Sequence, residues 1–219
     1  MEMNTSGYLA VYKGGQGEIV EKKSRFIATV KPVETEEEAS AFIGEMKKKY
    51  WDARHNCSAF VLGDRQQMTR CSDDGEPAQT AGRPILDVLL GEGITNAAVV
   101  VTRYFGGVLL GTGGLVRAYQ AAARAGLDAC TIIRKCVGRK LVVCTDYSGL
   151  GKLEHLFAQQ QIPVLSTEYG ADVTITILTP PEKREEVWQS IVEQTNGLAR
   201  QEWGADTVYA QVGKEIIVF

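Results

Sequence analysis

The richest chemistry in this 219-residue chain sits in one stretch, VVVTRYFGGVLLGTGGLVRAY, residues 99–119. An apolar run of strand character meets a loop holding Gly106, Gly107, Gly111, Gly113 and Gly114, and that loop leads into a helix. Strand, glycine loop and helix in this order bring backbone N–H groups toward an anion, and the helix dipole adds to the attraction. Two nucleotide motifs with this layout fail on spacing. A dinucleotide fingerprint fits at Gly111 and Gly113, but Val116 stands where its third glycine belongs. A P-loop fits at Gly106 and Gly111, but Thr112 replaces the required lysine. A sugar-kinase-type loop is only a loose match. Arg103, Tyr104 and Phe105 precede the glycines and Arg117 lies one turn into the helix. Guanidiniums and aromatic rings beside free amides suit a phosphate or an RNA backbone. The plainer alternative is a loop whose glycines serve positive φ and close backbone approach, with the arginines paired to acids and Tyr104 packed.

A second cluster, SDDGEP, sets Asp73, Asp74 and Glu76 within four residues. Such density needs cations to answer it. Arg83, Arg103 and Arg117 could do so as an ion-pair network, and a bound Mg²⁺ is the weaker alternative. The spacing is not that of an EF-hand. His55 and Cys57 alternate onto one face of a strand, with Cys57 among apolar residues and so read as core. No nucleophile meets its base here. Two histidines, His55 and His155, are too few for a histidine-rich metal site, and five cysteines without a C-x-x-C pair argue against zinc or a disulfide framework. The expectation is therefore no metal and no cofactor.

These groups need elements to position them. YLAVYK, GEIVEKK and RFIATVK read as a three-strand meander. TEEEASAFIGEMKKKY reads as a helix with Thr35 and Glu38 forming a capping box, acids early and lysines late. CSAFVLG and QQMTRCS read as a hairpin, and Pro84 opens a short helix, PILDVLL. AAVVVTRY is continuous enough to be a central strand covered on both faces. Residues 113–129 then read as a helix. From residue 138 the pattern restarts as strand, helix capped by Ser148, two strands, a helix from Pro180 to about Asn196, and closing strands. That is the β-α-β-β-α-β order of a ferredoxin-like split βαβ domain. The expected organisation is α+β in two domains, 1–137 and 138–219.

Net charge is −3. It divides unevenly: residues 1–137 hold 17 basic against 16 acidic side chains, and 138–219 hold 7 against 11. A polyanion would thus meet the first half through a local patch. No run approaches a membrane span, and MEMNTSGYLAVYK lacks the apolar core of a signal peptide, so a cytoplasmic protein with no membrane association is expected.

Taken together, KKSRFIA (22–28), ARHNCSAFV (53–61), SDDGEPAQTAGRP (72–84) and AAVVVTRYFGGVLLGTGGLVRAY (97–119) resemble the IMPACT family in its bacterial, YigZ-like form. The resemblance spans about residues 5–135. It implies an N-terminal domain with the left-handed βαβ fold of a small-subunit ribosomal protein and of elongation factor G domain IV. It also implies a ferredoxin-like second domain similar to domain V of that factor. It implies a link to translation and to stress: eukaryotic relatives restrain a starvation-responsive kinase that phosphorylates an initiation factor. Those relatives carry a further N-terminal partner-binding domain for which this chain leaves no room, so that role is not expected to transfer whole. Gln79 stands where relatives often place glycine.

The resulting expectation is a non-catalytic, translation-associated module. It would bind RNA or the ribosome through Arg103, Arg117 and the amides of Gly111–Gly114, with Tyr104 or Phe105 stacking on bases. Around this core, Gly106, Gly107, Thr112, His55, Asp73, Asp74, Glu76 and Thr80 complete the candidate site. The first alternative is an enzyme or small-molecule binder acting on a nucleotide or phosphorylated ligand. The second is a regulator that touches only a protein partner in translation control. Oligomeric state is left open.

Overall fold

A computed structural model of the chain describes residues 7–213 and 215–219. Residues 1–6 of the leading segment read above for targeting signals lie outside the described residues. The fold is α+β, and it divides into two compact units, one spanning Tyr8–Arg134 and the other taking in Lys135–Phe219. Among the described residues no helix is long and apolar enough to cross a membrane.

In the first unit the strands are β1 (Tyr8–Lys13), β2 (Gly15–Glu21), β3 (Ser24–Pro32), β4 (His55–Leu62), β5 (Met68–Ser72), β6 (Ile94–Thr95) and β7 (Ala97–Tyr104). The helices are α1 (Glu36–Lys49), α2 (Gly82–Gly91) and α3 (Gly111–Asp128). Five strands form an antiparallel sheet in the order β2-β3-β7-β4-β5. β7 is central, and both its faces are covered, because its residues alternate between two cores. Val99 and Val101 pack with α2 and α3, while Ala98 and Val100 pack with Phe42 and Met46 of α1. Each fully buried Val, Leu, Ile or Phe contributes about 1.5–3 kcal/mol of burial free energy. The expected meander is corrected at its first member: β2 and β3 form the hairpin, but β1 pairs in parallel with β6 through Leu9–Ile94 and Ala10–Thr95. Gly14, whose added Cβ would strike the Val30 carbonyl, lets the chain turn there.

Thr35 caps α1 as read, but the return bond from Glu38 falls on the amide one residue before the cap. Thr35 Oγ1 accepts from Glu38 N at 3.2 Å, and Glu38 Oε2 returns by accepting from Glu34 N at 2.7 Å.

In the second unit, β8 (Thr131–Thr145, from residue 135 on), α4 (Tyr147–Gln159), β9 (Val164–Tyr169), β10 (Val173–Thr179), α5 (Arg184–Gln194), β11 (Arg200–Val212) and β12 (Glu215–Val218) follow the β-α-β-β-α-β order. Antiparallel pairings run β9-β10-β8-β11-β12. Val173, Ile175 and Ile177, which alternate strictly in sequence, meet Leu153 and Phe157 of α4 and Val187 and Ile191 of α5 in one core. The cap of α4 is corrected from Ser148 to Asp146, whose Oδ1 accepts from Gly149 N at 2.8 Å. Ser148 instead donates its hydroxyl to that carboxylate, and these bonds hold the Asp146 carboxyl below its usual range.

Candidate functional site

The acidic loop joins β5 to α2, and its three carboxylates diverge. Asp73 caps α2 from a distance. Its Oδ1 accepts from Ala81 N at 3.0 Å and Gly82 N at 2.8 Å, and its Oδ2 from Gln79 N at 2.8 Å. A carboxylate at this end of a helix is favoured by the dipole. Asp74 ties the loop to the start of β4. Its Oδ2 accepts from Asn56 N at 2.7 Å, its Oδ1 meets Lys47 Nζ at 2.6 Å, and its carbonyl lies 2.9 Å from His55 Nδ1. A carbonyl only accepts, so Nδ1 carries a proton, and in the neutral ring Nε2 keeps the lone pair. Glu76 turns inward and is buried. Thr80 is buried too, its hydroxyl donating to the Pro77 carbonyl at 2.7 Å. Among the described residues no three of His, Cys, Asp and Glu are grouped to hold a metal.

Gln79 has φ +62°, the left-handed region that favours glycine. That conformation is the physical reason a glycine would suit this position. Here the strain is offset by the bond from its amide to Asp73.

Arg103 lies opposite Phe26 of β3 and His55 of β4. Strand alternation sends its side chain with Val99 and Val101 toward α3, beneath the surface. Its Nη1 meets Glu76 Oε1 at 2.5 Å, and its guanidinium carbon sits 5.5 Å from the Phe26 ring centre and 5.6 Å from that of Phe105. Tyr119 completes the cluster. Its hydroxyl donates to Glu76 Oε1 at 2.8 Å, its ring meets Phe26 edge-on at 5.1 Å, and the Cys57 thiol lies 3.3 Å from its oxygen. Burial pushes the Cys57 thiol up to about 12, so it is a core group and not a nucleophile. In the sequence Tyr119 stood only as a member of the helical stretch 113–129. The available signal was its hydroxyl, since a buried tyrosine needs a polar partner.

The glycine loop is open by contrast. Tyr104 leaves toward the other face, where its hydroxyl donates to Asp52 Oδ1 at 2.8 Å. Phe105 is 57% exposed above Arg103. Gly106 passes so close to the β2–β3 turn that a Cβ would strike the Lys23 carbonyl, and its amide donates to Ser24 Oγ at 3.1 Å. Exposed Lys22 and Lys23 form that turn. Gly107 and Gly111, at φ +82° and +71°, reverse the chain past exposed Val108 and Leu109. α3 then begins with no side-chain cap. Gly111, Thr112 and Gly113 are exposed, and Gly114 is half-buried. Arg117 is exposed beside Gly113, its Nη1 3.6 Å from where a Cβ would stand.

The structure thus brings His55, Asp73, Asp74, Glu76, Arg103 and Phe105 into one bonded assembly. It leaves Gly111–Gly113 and Arg117 facing solvent, and it sends Tyr104 elsewhere. Lys22, Lys23, Lys47 and Asn56 join this neighbourhood without having been singled out. Their roles depend on contacts distant in sequence.

Comparison with known proteins agrees with the motifs. Residues 22–127 match the Impact N-terminal domain and residues 144–198 match a domain of unknown function, DUF1949. The chain is 38% identical over 190 residues to IMPACT family member YvyE of Bacillus subtilis, covering 87% of this chain and 88% of that one. It is 38% identical to IMPACT family member YigZ of Escherichia coli, covering 80% and 87%. Human Protein IMPACT is 34% identical over 98 residues, covering 42% of this chain and 30% of that one. A crystal structure described as that of a hypothetical protein is 35% identical with a TM-score of 0.57, covering 89% of this chain and 96% of that one. With identity of this level running through both domains, the chain belongs to the IMPACT family.

Proposed function

We propose that the first domain docks the phosphate backbone of single-stranded RNA, on its own or within the ribosome, and that this docking serves translation control. The observation that carries the reading is the start of α3, uncapped and exposed at Gly111–Gly113, with Arg117 alongside. Amides, dipole and guanidinium there offer complementary charge to one phosphate. Phe105 offers a ring face for a base, and Lys22 and Lys23 extend the basic rim. Arg103 is the strut under Phe105, and the ligand contact expected of it falls to Arg117.

Filter retention of a single-stranded RNA, and cosedimentation with ribosomes, at two salt concentrations test this. Retention is expected to fall steeply with salt. Arg117→Ala is expected to lower the log–log slope by about 1. Phe105→Ala is expected to weaken binding by about 1–3 kcal/mol with the slope unchanged. No retention and no cosedimentation at low salt refutes the proposal.

A further inference from the structure

The second unit contains a pocket of about 300 Å³ lined by Arg139, Arg184, Glu185, Trp188, Gln201 and Trp203. A defect in strand pairing builds it. Trp203 of β11 faces Leu141 of β8 and Asp206 faces Arg139, so one extra residue lies on β11 between them. This bulge places Trp203 and Asp206 on the same sheet face, the face from which Leu141 enters the core beneath the helices. The other wall comes from α5, whose first residue is Arg184 and whose Trp188 follows one turn later on the same side.

Two guanidiniums share one acceptor there. Arg184 Nη2 donates to Asp206 Oδ1 at 3.0 Å. Arg139 Nε lies 2.9 Å from that oxygen but out of line for a hydrogen bond. The Nε atoms of both arginines are buried without a hydrogen-bond partner. Each guanidinium carries five N–H donors, so one carboxylate leaves a surplus. Arg184 also stands at the positive end of the α5 dipole, a placement that helix stability does not explain. Guanidinium forks grip carboxylate or phosphate, and indole faces stack planar rings. Glu185 on the lining disfavours a guest with more than one anionic group.

We propose that this pocket binds a small planar aromatic molecule carrying one anionic group, with its ring against Trp188 and Trp203 and its anion on Arg139 and Arg184. The volume, at the low end for ligand sites, fits a single ring system. This inference is independent of the RNA reading, which concerns the other domain.

The test uses the full chain carrying Trp51→Phe. Trp51 is 82% exposed, and its replacement leaves Trp188 and Trp203 as the only indoles. Indole fluorescence is titrated with adenosine monophosphate, nicotinate, adenosine, nicotinamide and inorganic phosphate. Saturable quenching is expected from adenosine monophosphate or nicotinate with a midpoint near or below about 1 mM, and whichever saturates identifies the anion as phosphate or carboxylate. The matching neutral ligand and phosphate alone are expected to bind at least about tenfold more weakly. Arg184→Gln and Arg139→Gln are each expected to weaken binding about tenfold or more, in proteins shown by circular dichroism to be folded. The proposal is overturned if neither anion saturates. It is equally overturned if the neutral ligands quench as strongly, a comparison that needs no variant, or if both folded arginine variants bind unchanged.

Discussion

Two arginine–carboxylate clusters in this molecule use the same groups in opposite ways. In the first domain, Arg103 and Glu76 have side chains only 8% and 4% exposed. Tyr119 shares the carboxylate, and Phe26 and Phe105 flank the cation. In the second domain, Arg139, Arg184 and Asp206 have side chains 34%, 29% and 35% exposed, and one oxygen serves both cations. Arg103 Nε, like the Nε atoms of Arg139 and Arg184, is buried without a hydrogen-bond partner, so the clusters differ in exposure, and removing one partner of the buried pair strands a charge in a low-dielectric interior. A half-exposed pair tolerates a deficit, since water screens it. The first cluster is therefore closed off as framework, and the second holds its guanidiniums where a guest can reach them. The surface proposed to dock RNA is the exposed start of α3, at Gly111–Gly113.

The sharpest way to break this contrast is Glu76→Ala. It leaves Arg103 buried without its carboxylate, and a loss of about 3–5 kcal/mol is expected, read from urea unfolding. A loss under about 1 kcal/mol would mean that water reaches Arg103 and that the two clusters do not differ in kind.

Alkaline pH probes the same cluster. Burial pushes the Cys57 thiol up to about 12 and raises the Tyr119 hydroxyl above its ordinary value. In the unfolded chain these groups titrate near about 8.5 and 10. Above those values the unfolded state sheds protons that the native state retains, so stability falls as pH climbs from about 8.5 toward 12. The slope is up to about 1.4 kcal/mol per pH unit for each group. Urea midpoints measured from pH 8 to 11 are expected to decline, and Tyr119→Phe is expected to flatten the part above pH 10. An unchanged limb in that variant would place the Tyr119 hydroxyl in contact with solvent.

The smallest effect is expected at the open cluster. Asp206→Asn removes an acceptor that water can replace, at a cost of about 0–1 kcal/mol in the same unfolding measurement. A loss as large as that of Glu76→Ala would make Asp206 framework also, with its arginines held by it and not free for a guest.

Periodicity and caps are local, and they were legible. The strict alternation of Val173, Ile175 and Ile177, the Thr35–Glu38 cap and the doubly covered run through Val99–Val101 follow from backbone geometry within a few residues. So was the proximity of the acidic loop to the strand carrying Arg103, through its motif company. The destination of each charge was not legible. Whether Arg103 faces a ligand or Glu76 depends on which face of β7 lies over α3, and on a tyrosine 16 positions away in sequence. The Trp203–Asp206 bulge was equally hidden, because one extra residue in a strand leaves no mark in composition and matters only once β8 lies alongside. Sequence alone determined the elements, the two-domain order and the family, since these rest on short-range pattern. The three-dimensional packing decided which arginines are occupied and which remain open, because ion pairing is settled by burial and by neighbours that the chain brings together only on folding.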